Sequence, residues 1–457
     1  MDAGLRREFF RYISLNTMGM IGLSCYILAD TFFVANRLGA QGLAALNIAI
    51  SIFGLVNGLG LMLGMGGGIR YTLMLAQGRD REGGKAFFAA GSFGLALGLF
   101  FLILGQAAAA PLAQLLGAKG EILPLCAGYL RVLLSFSPFF ILNQVCIAFV
   151  RNDGSPRLAM CSMLMGSLAN IVLDYVFLYP LNLGMGGAAL ATGVAPVLGL
   201  CISSTHLLGR RGRLRPVPHV PSPRLLGNLS ALGVSALLNE VSSSVILVTF
   251  NLIILSLTGD TGVAAYGVVA NLALVVTAVF TGISQGVQPL LSRTCGQGNA
   301  PQTRSLLKLA LGVAGGLSIL LVLGVLVWAD PLAAIFNESG DTLLQTMARE
   351  GLRLYFPAYL FVGCNIVLAS AFSATGRPGP AFGLSLFRGC VGVLLVVFPL
   401  SVLGGDDRRV ADGARGRAAG PAGRRVFGGA DGTYGRGQVR TAVWAGVSGV
   451  SSRTLPG

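Results

Sequence analysis

Long apolar runs separated by short polar turns set the rhythm of this chain. They recur near residues 10–34, 43–68, 87–115, 126–150, 158–180, 186–208, 228–257, 262–290, 305–328, 353–374 and 380–403. Each is long enough to supply the roughly 20 helical residues that cross a bilayer. Eleven spans are therefore predicted, and the fold class is an all-α polytopic membrane protein, since a helix satisfies its own backbone polar groups in lipid. The opening MDAGLRREFFRY leads straight into a full-length span, so no cleavable signal peptide is expected.

Composition sharpens this picture. Hydrophobic residues make up 54% and charged residues 11% of 457, with a mean hydropathy of +0.74. That leaves too few polar side chains to cover a soluble domain of this size. The net charge of +15 is mainly a topology signal, because short loops rich in Arg and Lys stay cytoplasmic. With the N-terminus inside, the inner loops hold Arg6, Arg7, Arg79, Arg81, Lys85, Arg151, Arg157, Arg210, Arg211, Arg213, Arg215, Arg224, Arg293, Arg304, Lys308 and Arg377. The outer loops hold little beyond Arg37, Lys119, Arg349 and Arg353. The N-terminus is thus expected in the cytoplasm, and no nucleic-acid partner is expected. The eight cysteines form no CxxC pair and fall mostly within spans, where Cys behaves as a small apolar residue. Neither a metal site nor a disulfide framework follows.

The chain repeats itself at about 220 residues. Ala76-Gln77-Gly78 answers Gly296-Gln297-Gly298, and Phe149-Val150-Arg151-Asn152-Asp153-Gly154 answers Phe372-Ser373-Ala374-Thr375-Gly376. Gly42-Leu43-Ala44-Ala45 answers Gly262-Val263-Ala264-Ala265 in the same way. Six spans lie between corresponding points, so the copies share one orientation about an axis along the membrane normal. The expected organisation is an N-terminal lobe over 1–208, a basic Pro-rich cytoplasmic linker over 209–225, and a C-terminal lobe over 226–403. Two six-helix lobes around a central cavity are the architecture of an alternating-access transporter.

After Leu403 the character changes. Residues 404–457 carry nine arginines and no lysine in a Gly/Ala/Arg-biased run, a composition that suggests disorder. Dropping the first base of the Arg409 codon lets the following residues read VWLTVPAAE, an apolar helix start. A frameshift that replaced a twelfth span with an out-of-frame tail is the expectation.

Two carboxylates, Asp30 and Asp174, sit in uncharged stretches built for lipid, and intramembrane acids are functional-site candidates by default. Asn170 lies four residues before Asp174, so it shares that helical face and offers a neutral oxygen beside a charged one. Sodium favours several oxygen ligands, whereas a proton needs only a desolvated carboxylate. The cluster suits either ion. Glu240, near the middle of span seven, is the only deep acid of the second half.

The runs LSCYILADTFFVANRLGAQGLAALNIA, GLGLMLGMGGGIRY, FVRNDGSPRLAM, NIVLDYVFLYPLNLGMGGAALATGVA and GISQGVQPLLSRTCGQG resemble the multidrug and toxic-compound extrusion (MATE) transporters, in particular a bacterial subgroup. The resemblance spans about residues 8–403. It implies a twelve-helix, two-lobed antiporter of the bacterial inner membrane that exchanges inward sodium or protons for exported organic cations or amphiphiles. No enzyme activity and no cofactor beyond the coupling ion are implied, and a monomer is expected. Asp30, Asn170, Asp174 and Thr192 match the family's first-lobe cation site, and Asp30, Asp174 and Thr192 reach one depth in the outer third of their spans. Glu240 would attract a cationic substrate or carry a proton.

Departures from the family are also visible. Some relatives pair the acid at Glu240 with another on span ten, but Leu354 to Gly376 contains no acid. The first span lacks the proline that bends it in several relatives. His206 and His219 look isolated and support no catalytic constellation. The alternatives are a lipid-linked precursor flippase of the same superfamily, or a non-functional remnant that has lost its last span.

Overall fold

A computed structural model describes residues 3–209, 212–337 and 341–391 of the chain. The expected frameshift, the tail 404–457 and the outer part of the eleventh span lie outside the described residues. Among those residues the regular structure is helical, with no strand. Helices α1 (Ala3–Gly39), α2 (Gln41–Ala76) and α3 (Asp80–Leu115) are each long and apolar enough to cross a membrane. The shorter α4 (Ile122–Ser135) and α5 (Ser137–Asn152) follow, then the full-length α6 (Pro156–Leu178), α7 (Gly184–Leu208), α8 (Pro223–Leu247), α9 (Gly262–Gly296) and α10 (Ala300–Val327). A short α11 (Ala329–Ala334) precedes α12 (Thr342–Tyr355) and α13 (Tyr359–Ala374), which together form one span across a 3₁₀ turn at Phe356–Ala358. α14 (Pro378–Leu386) falls at the start of the predicted eleventh span; among the described residues nine helices, or ten spans with the bent pair α4 and α5, are long and apolar enough to cross a membrane.

Two of the predicted spans are more articulated than their hydropathy suggested. The span over 126–150 is the pair α4 and α5, bent by 48° at Phe136. Pro138 stands at the start of α5, where its missing N–H and fixed φ are tolerated. Pro357 similarly marks the 3₁₀ turn between α12 and α13.

The internal repeat is echoed in the backbone. Gly78 and Gly298 close α2 and α9 with φ of 72° and 73°, and Gly154 and Gly376 follow α5 and α13 with φ of 86° and 76°. All four positions use the left-handed region in which glycine carries no Cβ penalty.

The chain forms two compact units. One comprises Met1–Ser244, Leu274–Ala314 and Cys364–Ser385; the other comprises Val245–Ala273, Gly315–Gly363 and the described residues from Leu386. Lipid tails are as apolar as leucine, so helices in a membrane associate through close packing and hydrogen bonds. In the first unit Gly66 of α2 and Gly233 of α8 show this directly. A Cβ on Gly66 would collide with the Leu229 carbonyl, and one on Gly233 with the Met62 carbonyl. The glycine cluster 64–68 therefore lets two backbones touch. Below it Phe149, fully buried, sets its ring 4.9 Å from Phe87 and 5.7 Å from Tyr71. In the second unit Phe250 stacks on Tyr266 at 5.4 Å, and the Tyr359 hydroxyl donates to the Ala273 carbonyl at 3.2 Å.

Candidate functional site

Helix α6 separates its faces sharply. Met165, Leu168, Val172 and Tyr175, spaced at three and four residues, are about half exposed and form the lipid-facing stripe. Ser167, Asn170, Asp174 and Leu178 occupy the buried stripe, with Asn170 and Asp174 at 0% exposure. Helices α1 and α7 close over that stripe. Gly22 of α1 meets the Leu164 side chain, and Gly166 packs toward the Ala195 carbonyl, where a Cβ would stand 3.2 Å away.

Within this packing Asp174, Asn170 and Thr192 form a connected group. An amide's orientation is set by its hydrogen bonds, and here the Asn170 nitrogen faces the acid. It donates to Asp174 Oδ2 at 3.0 Å, while the Asn170 oxygen accepts from the Thr192 backbone N–H at 3.2 Å. The Thr192 hydroxyl donates to the Ala188 carbonyl at 3.0 Å and is also hydrogen-bonded to the Tyr129 side chain. Asp30, on α1 and also buried, lies within electrostatic range of Asp174. Asp30 Oδ1 and Asp174 Oδ1 are both buried without a hydrogen-bond partner. An unpaired carboxylate away from water is costly unless a cation or a proton neutralises it.

Two tyrosines surround the acids and were not singled out by sequence reasoning. Tyr26 and Tyr129 each lie within electrostatic range of Asp30 and Asp174, and Tyr26 also reaches Glu240. Tyr26 stands one turn before Asp30, a spacing that marks it in retrospect. Glu240 is half-buried on α8. Its Oε2 lies 3.5 Å from Asn57 Nδ2 on α2, and Asn57 Oδ1 accepts from Gln144 on α5 at 2.6 Å. No sequence signal ties Asn57 and Gln144 to this acid, because the three residues belong to different helices.

The other end of the first unit holds a second polar network, built on Arg151-Asn152-Asp153. Arg151 was expected as a loop cation; it is instead 1% exposed at the end of α5 and donates to Asn16 at 3.1 Å and Gln285 at 2.6 Å. A buried guanidinium requires such acceptors. Asn152 exchanges hydrogen bonds with Gln288 and accepts from Thr72 at 2.8 Å. His206 was expected to be isolated, but its Nε2 lies 2.7 Å from Asp153 Oδ2, with both side chains almost fully buried. The expectation failed because the pair is separated by a whole helix in sequence. Asp153 also accepts from the Tyr71 hydroxyl at 2.6 Å and from the backbone N–H groups of Arg213 and Leu214 at 3.2 and 3.1 Å. Among the described residues no three His, Cys, Asp or Glu side chains converge to hold a metal ion.

The family model described as MatE matches residues 17–176 and 236–398. The chain is 24% identical over 383 residues to the multidrug export protein MepA of Staphylococcus aureus strain MRSA252, covering 83% of this chain and 84% of that protein. Among solved structures it is similar to a MATE protein in complex with MaL6, with a TM-score of 0.84 at 21% identity, over 98% of this chain and 95% of the other. It is also similar to an outward-facing multidrug resistance MATE family transporter of the MOP superfamily, with a TM-score of 0.80 at 23% identity, over 86% and 88% of the two chains. These structural likenesses concern the fold. The family match covers well over half of the sequence, and the chain belongs to the MatE family.

Proposed function

We propose that this MatE-family chain is a multidrug efflux transporter that exchanges an inward-moving cation, sodium or a proton, for an organic cation or amphiphile leaving the cell. The observation that carries the reading is the pair of unpartnered, buried carboxylate oxygens, Asp30 Oδ1 and Asp174 Oδ1, beside Asn170 and Thr192. A site with that unused acceptor capacity gains from taking up a cation and is left with a desolvated charge when the cation departs. Ion and cationic substrate would therefore alternate: one occupies the charge cluster as the other is released, and the protein changes access between the two. Glu240, 3.5 Å from Asn57, supplies a further negative charge along the path for a cationic substrate. The similarity to MepA supports the multidrug substrate class. The placement of arginine and lysine supports a cytoplasmic N-terminus, with the basic face inside.

Efflux of a fluorescent organic cation from proteoliposomes, driven in turn by a sodium and a pH gradient, tests this reading. Asp174→Asn removes a charge without changing shape. It should abolish gradient-driven efflux while inserting at wild-type levels; efflux at the wild-type rate would sink the assignment.

A further inference from the structure

Residues 212–222, which lead into α8, form an anchored wall rather than a free tether. Asp153 accepts from the Arg213 and Leu214 backbone N–H groups, Leu214 is buried, and the Val217 N–H donates to the Gly84 carbonyl at 3.3 Å. Gly84 leaves no room for a side chain, because a Cβ there would strike the Arg215 carbonyl.

Beyond this anchor the segment closes a cleft of about 390 Å³ with the end of α2 and the starts of α3 and α8. Its charged and polar walls are Arg70, Glu82, Lys85, His219, Arg224 and Asn228. Three fixed cations thus face one carboxylate, and that carboxylate is already bonded to Lys85 at 2.8 Å. Arg70 Nη1 donates to Asn228 at 3.0 Å, which holds the guanidinium in place, while its Nε–H is buried without an acceptor. His219 Nδ1 bonds the Val217 carbonyl at 3.2 Å, and its Nε2 is likewise buried without a partner. The N-terminus of α8 opens here too, capped by Ser222, whose Oγ accepts from the Leu225 N–H at 3.3 Å. The positive end of that helix dipole adds to the field. Like charges gathered in one cleft repel, and an anion offsets that repulsion. Val220, 92% exposed, lines the same cleft. This apolar rim beside cations suits a ligand whose anionic head adjoins acyl chains.

The geometry points to a binding site for a phosphate-bearing anion in this cleft. The shared chemistry is a phosphate oxygen accepting from Arg70, Lys85 and Arg224, as in basic pockets that hold anionic lipid headgroups at a cytoplasmic membrane surface. Neither Asp30 nor Asp174 takes part, so the site stands apart from ion exchange.

The test is thermal unfolding of the purified full chain in detergent, titrated separately with phosphatidylglycerol, phosphatidylcholine and inorganic phosphate. Phosphatidylglycerol is expected to raise the melting temperature and phosphatidylcholine to leave it unchanged. The double variant R70A/R224A should need roughly thirtyfold more phosphatidylglycerol for the same shift. A shift with inorganic phosphate that R70A/R224A also loses would identify a soluble phosphate as the ligand and uphold the site. R224Q offers a milder change, with a smaller loss in the same direction, should the double variant fold poorly. R304A, an exposed cation outside the cleft, should keep the full shift; an equal loss there would reduce the effect to diffuse charge attraction and overturn the site. An unaltered shift in R70A/R224A, or no shift with any ligand, also overturns it. D174N should retain the shift, so a failure of the transport reading would leave this result standing.

Discussion

Asp153 lies just before helix α6 and Asp174 within it, and both carboxylates are shielded from solvent, yet their acceptor capacity is used very differently. Asp153 receives four donors: the Tyr71 hydroxyl, the His206 ring and the backbone N–H groups of Arg213 and Leu214. An ionised carboxylate offers about four lone-pair sites, so nothing remains for a ligand. Asp174 receives the Asn170 amide on one oxygen and leaves the other without a partner. A saturated buried acid belongs to the scaffold; an unsaturated one is held ready for something that comes and goes. Burial alone does not separate the two.

The comparison is open to direct attack. The largest effect should come from Asp153→Ala, which strands the Tyr71 hydroxyl, His206 and two backbone N–H groups at once. It is expected to cost about 3 kcal/mol, read as a lowered melting temperature in detergent. Trypsin should then cut faster after Arg213, because the segment loses its anchor, whereas the Arg215-Pro216 bond resists trypsin in either case. A melting curve and a digestion rate like those of the wild type would break the comparison. Arg151→Ala removes the donor to Asn16 and Gln285 and should cost about 2 kcal/mol, measured in the same way. Asp174→Asn should go the other way, unchanged or more stable by up to about 1 kcal/mol despite losing efflux, since strained functional charges trade stability for activity. A strong destabilisation would mean that Asp174 is scaffold after all. The smallest change belongs to Glu240→Gln, below about 0.5 kcal/mol, because its contact with Asn57 is 3.5 Å long and weak. Its effect should appear instead as weaker binding of cationic over neutral substrates.

Much of the fold was legible because span length and turn glycines are local properties. The apolar runs located the spanning helices, and the repeated Gln-Gly at 77–78 and 297–298 coincides with turns in which Gly78 and Gly298 share one backbone conformation. The grouping of Asn170 with Asp174 was legible too, since a four-residue spacing on a helix puts side chains on one face. The bend at Phe136 was less visible, because Pro138 is acceptable to an uninterrupted span until its neighbours are known. His206 and Arg151 were misread for a stronger reason: each finds its partners on other helices. His206 meets an acid 53 residues away and Arg151 an amide 134 residues away, separations that leave no periodic trace.

By itself the sequence determined that this is an all-helical membrane protein with an internal repeat, and that Asp30, Asp174 and Glu240 lie within its apolar helices. Those properties follow from hydrophobicity, helical periodicity and charge placement, which act over a few residues at a time. Only the tertiary structure decided which acids are filled and which are free, and that residues 212–222 are anchored as the wall of a cationic cleft. Hydrogen-bond saturation is a property of the space around a side chain, and helices distant in sequence build that space.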